Sequence, residues 1–312
     1  QYGKKWISLA IIFSLCGMIG ALPVFNVNQL TSAIENILII PHGFETNIYS
    51  KLTIGFCLVI ITSVVIIGGL KRISKIASKV VPLMVLVYLI SVILIIVINN
   101  EKILDSFKLI FTDAFEGKYY NGDAILGGSL GAFIIYGIRR GVFSNEAGIG
   151  MAPMAHGEAK TDNPIKEGLV AMLGPAIDTI LVCTLTAMAI LTADVWEYNE
   201  NCQGIMLTAH AFETSLGFYG NYIILICAFF FCISSLFSYS YYGSKCLSFI
   251  AGETNKNKYN YIYIFSIMIG ATTSLSAMLN LIDIFFALMA IPTMIATIIL
   301  APKVVKKLEE YG

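Results

Sequence analysis

Charged side chains are scarce in this sequence. Asp, Glu, Lys and Arg make up 13% of its 312 residues, about half their share in a soluble globular domain. The formal net charge is zero, from twenty basic and twenty acidic side chains. Because no basic excess can neutralise phosphates, a protein that binds nucleic acid through a basic face is excluded. At 57% hydrophobic residues, a disordered chain is excluded as well.

Cysteine and histidine are few and scattered. Of the seven cysteines only Cys202 falls in a connection on the less basic side, and the others lie inside or at the ends of apolar stretches. This distribution is typical of small buried side chains and implies no disulfide framework. His42, His156 and His210 have no cysteine or carboxylate at ligand spacing. We therefore expect no bound metal and no cofactor, apart from an ion that is transported.

Long apolar stretches dominate the chain. A helix needs about 20 mostly apolar residues to cross the hydrocarbon core of a membrane, and eight stretches qualify. Their apolar runs do not alternate with polar residues, which excludes barrel strands, and a helix satisfies its own backbone in lipid. The sequence predicts an all-α polytopic membrane protein with spans at residues 6–33, 52–70, 80–98, 124–150, 165–192, 218–250, 259–279 and 281–300.

Basic residues divide unequally between the two sets of span ends. One set, which includes both ends of the chain, carries 16 of the 20 lysines and arginines. The opposite set carries Lys51, Lys102, Lys108 and Lys118. The positive-inside rule places the basic set in the cytoplasm, so we predict a multi-pass plasma-membrane protein with both termini of this chain cytoplasmic. The basic start, without Met or signal-peptide pattern, indicates an N-terminal truncation.

Two spans carry amides and hydroxyls that lipid would exclude. In the first span, Pro23 bends the helix, and Asn26 and Gln29 share one face. In the sixth, Ser235 and Tyr239 are four residues apart on one face. Each pair suits either hydrogen bonding between helices or the lining of a cavity for a small polar ligand, and the residues alone leave both interpretations open.

Two further spans are interrupted or charged. In the fourth, the glycine density predicts a discontinuous helix, with the break between Gly137 and Gly141 and exposed backbone dipoles continuing to Phe143. In the fifth, Asp178 and Thr179 lie about half way along the span. A carboxylate at that depth must face the helix bundle, and we favour a cation site or proton relay there over a structural hydrogen bond.

One long block resembles a known family signature. The stretch RGVFSNEAGIGMAPMAHGEAK, residues 140–160, resembles that of the alanine or glycine:cation symporter family, the sodium:alanine symporters. The match continues through residues 161–164, 168–173 and 177–187. A second block, SYYGSKC at 240–246, is similar to the family's eighth-helix motif.

The resemblance implies a fold. The family shares the five-plus-five inverted-repeat architecture of amino acid–polyamine–organocation transporters. The eight spans then correspond to helices three to ten of a single transmembrane domain that lacks its first two helices. Residues 1–100 hold the rest of the first repeat, in three helices, and residues 101–312 hold the second, in five. The glycine-rich fourth span corresponds to the broken sixth helix.

The resemblance also implies a site. Gln29 matches a substrate-contacting Gln, Asn26 lies beside it, and Ser235 and Tyr239 stand where the family has Thr and Trp under the amino-acid pocket. By analogy with the fold, Ser234 and Ser235 would offer oxygens to sodium. Phe286, Ala287 and Thr293 replace the family's Asn, Gly and Asn. The expected substrate-binding residues are Asn26, Gln29, Gly137, Gly141, Phe143, Ser235 and Tyr239, and the expected ion-binding residues are Ser234, Ser235, Asp178 and Thr179.

The expected function is secondary active symport of alanine or glycine into the cell with sodium. Its partners are a small neutral amino acid, the sodium ion and the lipid bilayer. One alternative is proton- or sodium-coupled transport of another small amino acid, such as serine. A channel is a second, because broken helices also occur in pores. An intramembrane enzyme would need a nucleophile and base within the bilayer, which the sequence does not offer, so we expect no enzymatic activity.

Overall fold

The computed structural model describes residues 6–67, 69–116, 137–138, 140–143, 146, 148–196 and 204–311, and every regular element among them is helical. The longer α-helices with described bounds are α1 (Ile7–Gly20), α2 (Val24–Ile34), α3 (Ile48–Ile66), α4 (Gly69–Ile98), α5 (Ile103–Glu116), α6 (Met151–His156), α7 (Pro164–Ala171), α8 (Thr184–Thr192), α9 (Ile205–Leu216), α10 (Phe218–Ala251), α11 (Lys258–Thr272) and α12 (Leu275–Glu309). A π-helical stretch, Glu35–Ile39, prolongs α2, and a second one, Ala176–Cys183, leads into α8.

Membrane-spanning length is reached six times within the described residues. The stretches are Ile7–His42, Ile48–Ile66, Lys75–Ile98, Pro164–Thr192, Phe218–Ala251 and Leu275–Glu309. Their outer faces are apolar: Ile180 and Ile298 are 74% and 72% exposed, which suits lipid and not water. These helices confirm a polytopic membrane protein. Of the eight predicted spans, that at 124–150 lies mostly outside the described residues.

The boundary between the last two predicted spans was wrong. The prediction separated them at residue 280, whereas α11 ends at Thr272, after only 15 residues, and α12 begins at Leu275. Thr273 and Ser274 between them have extended backbone. Short hydroxyl side chains favour such helix boundaries. The hydropathy pattern did not reveal this one, because apolar residues on both sides outweigh so short a polar interruption.

Two compact units divide the described chain. The first comprises Gln1–Leu86, Ala147–Ala171 and Leu225–Gly312, and the second comprises Val87–Glu146 and Met172–Ile224. The first unit has an apolar core in which Leu30, Leu58, Leu236, Tyr263 and Ile267 are almost completely buried. These units are groups of packed segments and do not address the division into sequence repeats, which stays a prediction.

Polar contacts join the helices of the second unit. The Tyr88 hydroxyl lies 2.6 Å from Thr186 Oγ1, and the Tyr88 ring stacks on Phe212. The Asn99 side-chain amide donates to Ser215 Oγ at 2.9 Å. Hydroxyl and amide contacts of this kind hold helices together in lipid, where burial of apolar side chains alone gives little driving force.

The bend at Pro23 separates α1 from α2 and changes the local hydrogen bonding. The Leu22 N–H donates to the Ile19 carbonyl, so the Met18 carbonyl loses its usual donor four residues on. The Tyr259 hydroxyl of α11 fills that place, at 2.6 Å from the Met18 oxygen. A carbonyl left open inside a membrane is costly, so the bend and α11 depend on each other.

Candidate functional site

The polar face of α2 lies beside α10 in the first unit. Asn26 and Gln29 are half-buried, and the Cys232 thiol of α10 donates to the Asn26 carbonyl at 3.3 Å. Val27 and Leu30, beside these residues on α2, are buried in the core shared with Leu236 of α10. The structure therefore brings the α2 segment with Asn26 and Gln29 next to the α10 segment that carries Ser235 and Tyr239.

The α10 segment presents hydroxyls at the same level of the unit. Ser234, Ser235 and Tyr239 are half-buried, and Tyr239 packs against the edge of the core, its ring 5.9 Å from that of Tyr242. The Ser234 hydroxyl donates to the Phe231 carbonyl at 2.9 Å. Because a hydroxyl that donates still accepts, the Ser234 oxygen is able to bind a cation.

Asn28, which the sequence interpretation passed over, connects α2 to the end of α11. Its side-chain amide donates to the Thr273 carbonyl at 2.5 Å and to the Gly270 carbonyl at 3.4 Å. The last carbonyls of a helix have no partner within it, so Asn28 satisfies the terminus of α11. A Cβ at Gly270 would lie 2.8 Å from the Val24 backbone, so this close approach requires glycine. Periodicity could not separate Asn28 from its neighbours, because it does not show where another helix ends.

Asp178 and Thr179 belong to the second unit and lie in the π-helical stretch Ala176–Cys183. Asp178 is half-buried. The Thr184 hydroxyl donates to the Thr179 carbonyl, five residues back, at 3.2 Å. Single π-helical turns are often found at functional sites, because they displace side chains from the regular helical positions. Gly174 and Pro175, two residues that weaken regular helix, come directly before this stretch. A hydropathy pattern does not register them, so it could not predict the irregular backbone.

The predicted break between Gly137 and Gly141 was misplaced. Residues 137–138 and 140–143 are helical, while Arg139 lies outside the described residues. Left-handed backbone follows later, at Glu146 (φ 52°) and Gly150 (φ 84°), just before α6. Glycine within a helix weakens it without ending it, whereas a positive φ does interrupt it. Glycine density alone therefore gave the wrong position, and Gly137, Gly141 and Phe143 have helical backbone.

The candidate residues thus fall into two sets. Asn26, Gln29, Ser234, Ser235 and Tyr239 belong to the first unit, and the structure brings their helices together. Gly137, Gly141, Phe143, Asp178 and Thr179 belong to the second. That the two sets form one binding site stays a prediction. In the part of the chain that the structure describes, no three His, Cys, Asp or Glu side chains cluster as metal ligands would.

Phe286 of α12, singled out in the sequence, packs against α1. It is buried, and its ring carbons lie 3.1–3.2 Å from the position that a Cβ on Gly20 would occupy. Gly20 is the last residue of α1, just before the bend at Pro23. An aromatic ring therefore fills the space beside the bend, where an Asn would present an amide.

Comparison with known proteins identifies the family. Residues 2–312 match the sodium:alanine symporter family. A sodium/alanine symporter, AgcS, of Methanococcus maripaludis is 34% identical over 97% of this chain and 65% of its own length. A probable sodium/glutamine symporter, GlnT, of Bacillus subtilis is 33% identical over 99% of the chain and 62% of its own length.

A third relative is the sodium/proton-dependent alanine carrier protein of Bacillus sp. strain PS3, 31% identical over 80% of this chain and 55% of its own length. The chain therefore spans less than two thirds of the length of these relatives. All three are named as transporters, so the resemblance drawn from residues 140–160 and the expectation of no enzymatic activity are confirmed.

Replacing Asn28 by Ala should destabilise the protein. The change leaves the Thr273 and Gly270 carbonyls without their donor, which costs about 1–3 kcal/mol for a buried group. Thermal unfolding in detergent, followed by circular dichroism, measures the effect. Asn255→Ala is the control, because the side-chain amide of half-buried Asn255 donates to the Ala251 carbonyl, four residues back, and joins no distant helices. Equal melting temperatures for the two variants would contradict the role of Asn28.

Proposed function

This chain belongs to the sodium:alanine symporter family, and we propose that it moves a small neutral amino acid, alanine or glycine, into the cell together with sodium. The observation that carries the proposal is the family match over residues 2–312. The names of two alanine-carrying relatives support it. The chain is a multi-pass membrane protein of this family, and transport, its coupling ion and its substrate are the proposed part.

The proposed architecture is the five-plus-five inverted repeat, with the basic ends of the helices in the cytoplasm. The six membrane-spanning helical stretches and the excess of basic residues at one set of ends support it. Transporters of this kind bind substrate where helices are interrupted near the middle of the membrane. The bend at Pro23 and the left-handed backbone at Glu146 and Gly150 are interruptions of that type.

Substrate would bind to the half-buried face shared by α2 and α10. Gln29 and Asn26 offer neutral amides, which can both donate to a carboxylate and accept from an ammonium group. Ser235 and Tyr239 add hydroxyls on the neighbouring helix. Neutral groups suit a zwitterion, because a fixed charge would favour one pole and repel the other.

Sodium would bind to oxygen atoms, which hard cations prefer as ligands. The hydroxyls of Ser234 and Ser235 supply such oxygens in the first unit, and the Asp178 carboxylate and Thr179 supply them in the second. The π-helical backbone around Asp178 supports this assignment. Coupling follows if ion and amino acid favour the same conformation, since each then raises the affinity of the other.

Glutamine is a second candidate substrate. The relative named as a probable sodium/glutamine symporter aligns with 99% of this chain. Tyr239, in place of the Trp implied by the resemblance, leaves a smaller ring with a hydroxyl. Such a ring could leave room for a longer side chain and donate to its amide.

An inward sodium gradient should drive uptake of labelled alanine or glycine into liposomes that contain the protein. Sodium is expected to raise the apparent affinity for the amino acid about 5- to 150-fold, the usual range for coupled sites. Serine and glutamine, assayed in parallel, define the substrate. Uptake that is indifferent to sodium would contradict symport, and uptake driven by a proton gradient would reassign the ion.

Gln29→Ala should weaken substrate binding while the fold stays intact. Loss of an amide that bonds to a charged pole of the substrate should raise the KM for alanine about tenfold or more. Asn36→Ala is the matched control, because exposed Asn36 bonds only to Ser32 within its own helix. If both variants keep the affinity of the unaltered protein, Gln29 is not a substrate ligand.

Asp178→Asn should reduce the dependence of uptake on sodium, because an amide lacks the charge that attracts the cation. The sodium concentration at half-maximal uptake is the measured quantity, with about a tenfold increase expected. Asp194→Asn provides the comparison: Asp194 lies in the same unit, exposed, with Lys102 as its partner at 3.2 Å. Normal sodium dependence in the Asp178 variant would instead favour a structural hydrogen bond.

A further inference from the structure

A cavity of about 490 Å³, with both polar and apolar lining, lies near the end of α10 in the first unit. Its polar lining includes Glu158, Ser240, Tyr241, Ser244, Lys245 and Asn260, and isoleucines at positions 66, 67 and 73 form an apolar side. In the sequence, Lys245 belongs to the SYYGSKC block and Glu158 to the block at residues 140–160. The cavity has the size of a small-molecule site, and none of the residues assigned to transport is among its lining residues.

A carboxylate and an ammonium group face each other in this cavity. Lys245 Nζ lies 2.6 Å from Glu158 Oε1, and the two side chains are 40% and 41% exposed. The ammonium group also lies 5.5 Å from the centre of the Tyr241 ring, within the range of a cation–π contact. The hydrogen bond and the positive charge of Lys245 lower the pKa of Glu158. Glu158 is therefore a carboxylate at neutral pH.

The neighbouring groups add polarity without a second carboxylate in the lining. The Ser244 hydroxyl donates to Asn260 Oδ1 at 3.0 Å, which fixes the side-chain amide at the cavity wall. Lys256 also lines the cavity and pairs with Glu253 at 3.0 Å, outside the lining. Among the lining residues that the structure describes, the cavity thus offers one anion, Glu158, and two cations, beside an apolar surface.

This combination is complementary to an amino acid. We propose that the cavity is a second, weak binding site for the zwitterion, with its ammonium group on Glu158 and its carboxylate on Lys245. The small apolar side chain would lie against the isoleucines. An exposed ion pair adds little to stability, so the two residues exchange partners at little cost. The inference rests on the proposed function, because it assumes an amino-acid substrate.

The position of the cavity suggests its role. Lys245 follows Tyr239 by six residues on α10, about 9 Å along the helix axis, toward the end with the basic residues. In the predicted orientation that end is cytoplasmic. The site would then hold the amino acid as it leaves the protein, and would act on the KM measured from that face only.

Transport measured from each face of the membrane tests the proposal. Glu158→Gln and Lys245→Gln should each raise the KM for alanine from the Glu158 face about tenfold and leave the opposite KM unchanged. The double variant Glu158→Lys with Lys245→Glu should recover most of the affinity, because a zwitterion can bind in reverse. Glu253→Gln, which removes a carboxylate just outside the cavity, should behave as the unaltered protein.

A binding assay that does not depend on transport completes the test. Alanine should protect Glu158 from a water-soluble carbodiimide, even in the Gln29→Ala variant, whereas propionate and ethylamine, which carry one charge each, should protect less. Absent protection, or KM values unchanged on both faces, would overturn the second site. Failure of the proposed function would give a different result, because the unaltered protein would then show no sodium-driven uptake. The protection assay would still test binding of alanine in the cavity.

Discussion

Inside a membrane every backbone group that a helix break exposes must find a partner, because lipid offers none. The first unit meets this constraint by setting helix breaks beside the side chains of other helices. The bend at Pro23 opens the Met18 carbonyl, and Tyr259 of α11 donates to it. In return the end of α11 exposes the Thr273 carbonyl, and Asn28 of α2 donates to that group. Each break is therefore satisfied by the helix that carries the other.

Small residues make these contacts possible. A Cβ on Gly243 of α10 would collide with the ring of Tyr259, so Tyr259 passes α10 to reach Met18 only because residue 243 is glycine. Gly270 allows α11 to approach Val24 closely enough for the Asn28 amide to reach its carbonyls. At Gly150, with φ 84°, a Cβ would meet Thr293 and Phe13. Close packing at glycine is the usual means of joining helices in lipid, and here it also positions the hydrogen bonds.

The sequence predicts the membrane-spanning segments well because hydropathy and length are properties of one segment at a time. It also indicates that Asn26 and Gln29 share a face, since helical periodicity is local. It could not tell that Asn28 between them caps another helix, because that depends on where α11 ends. The sequence did not predict the break near Gly150 or the π-helical turn at Asp178 for a related reason. Both are choices of backbone hydrogen bonding that residue composition constrains only weakly.

The contacts that hold the helices of the first unit together suggest, on the proposed function, how related proteins with the same helix arrangement take different substrates. Tyr259, Asn28 and Gly270 act on backbone groups, and none of them needs the side chains assigned to the substrate. On the proposed assignment, Ser235 and Tyr239 lie on half-buried faces outside that set of hydrogen bonds, while the Gln29 amide touches it by donating to Asn28 Oδ1 at 3.4 Å. Substitutions there can alter the size and polarity of the pocket while the helix breaks keep their partners. Two relatives about one third identical to this chain are named for different amino acids, one for alanine and one for glutamine. This is expected if different residues determine the substrate and the arrangement of the helices.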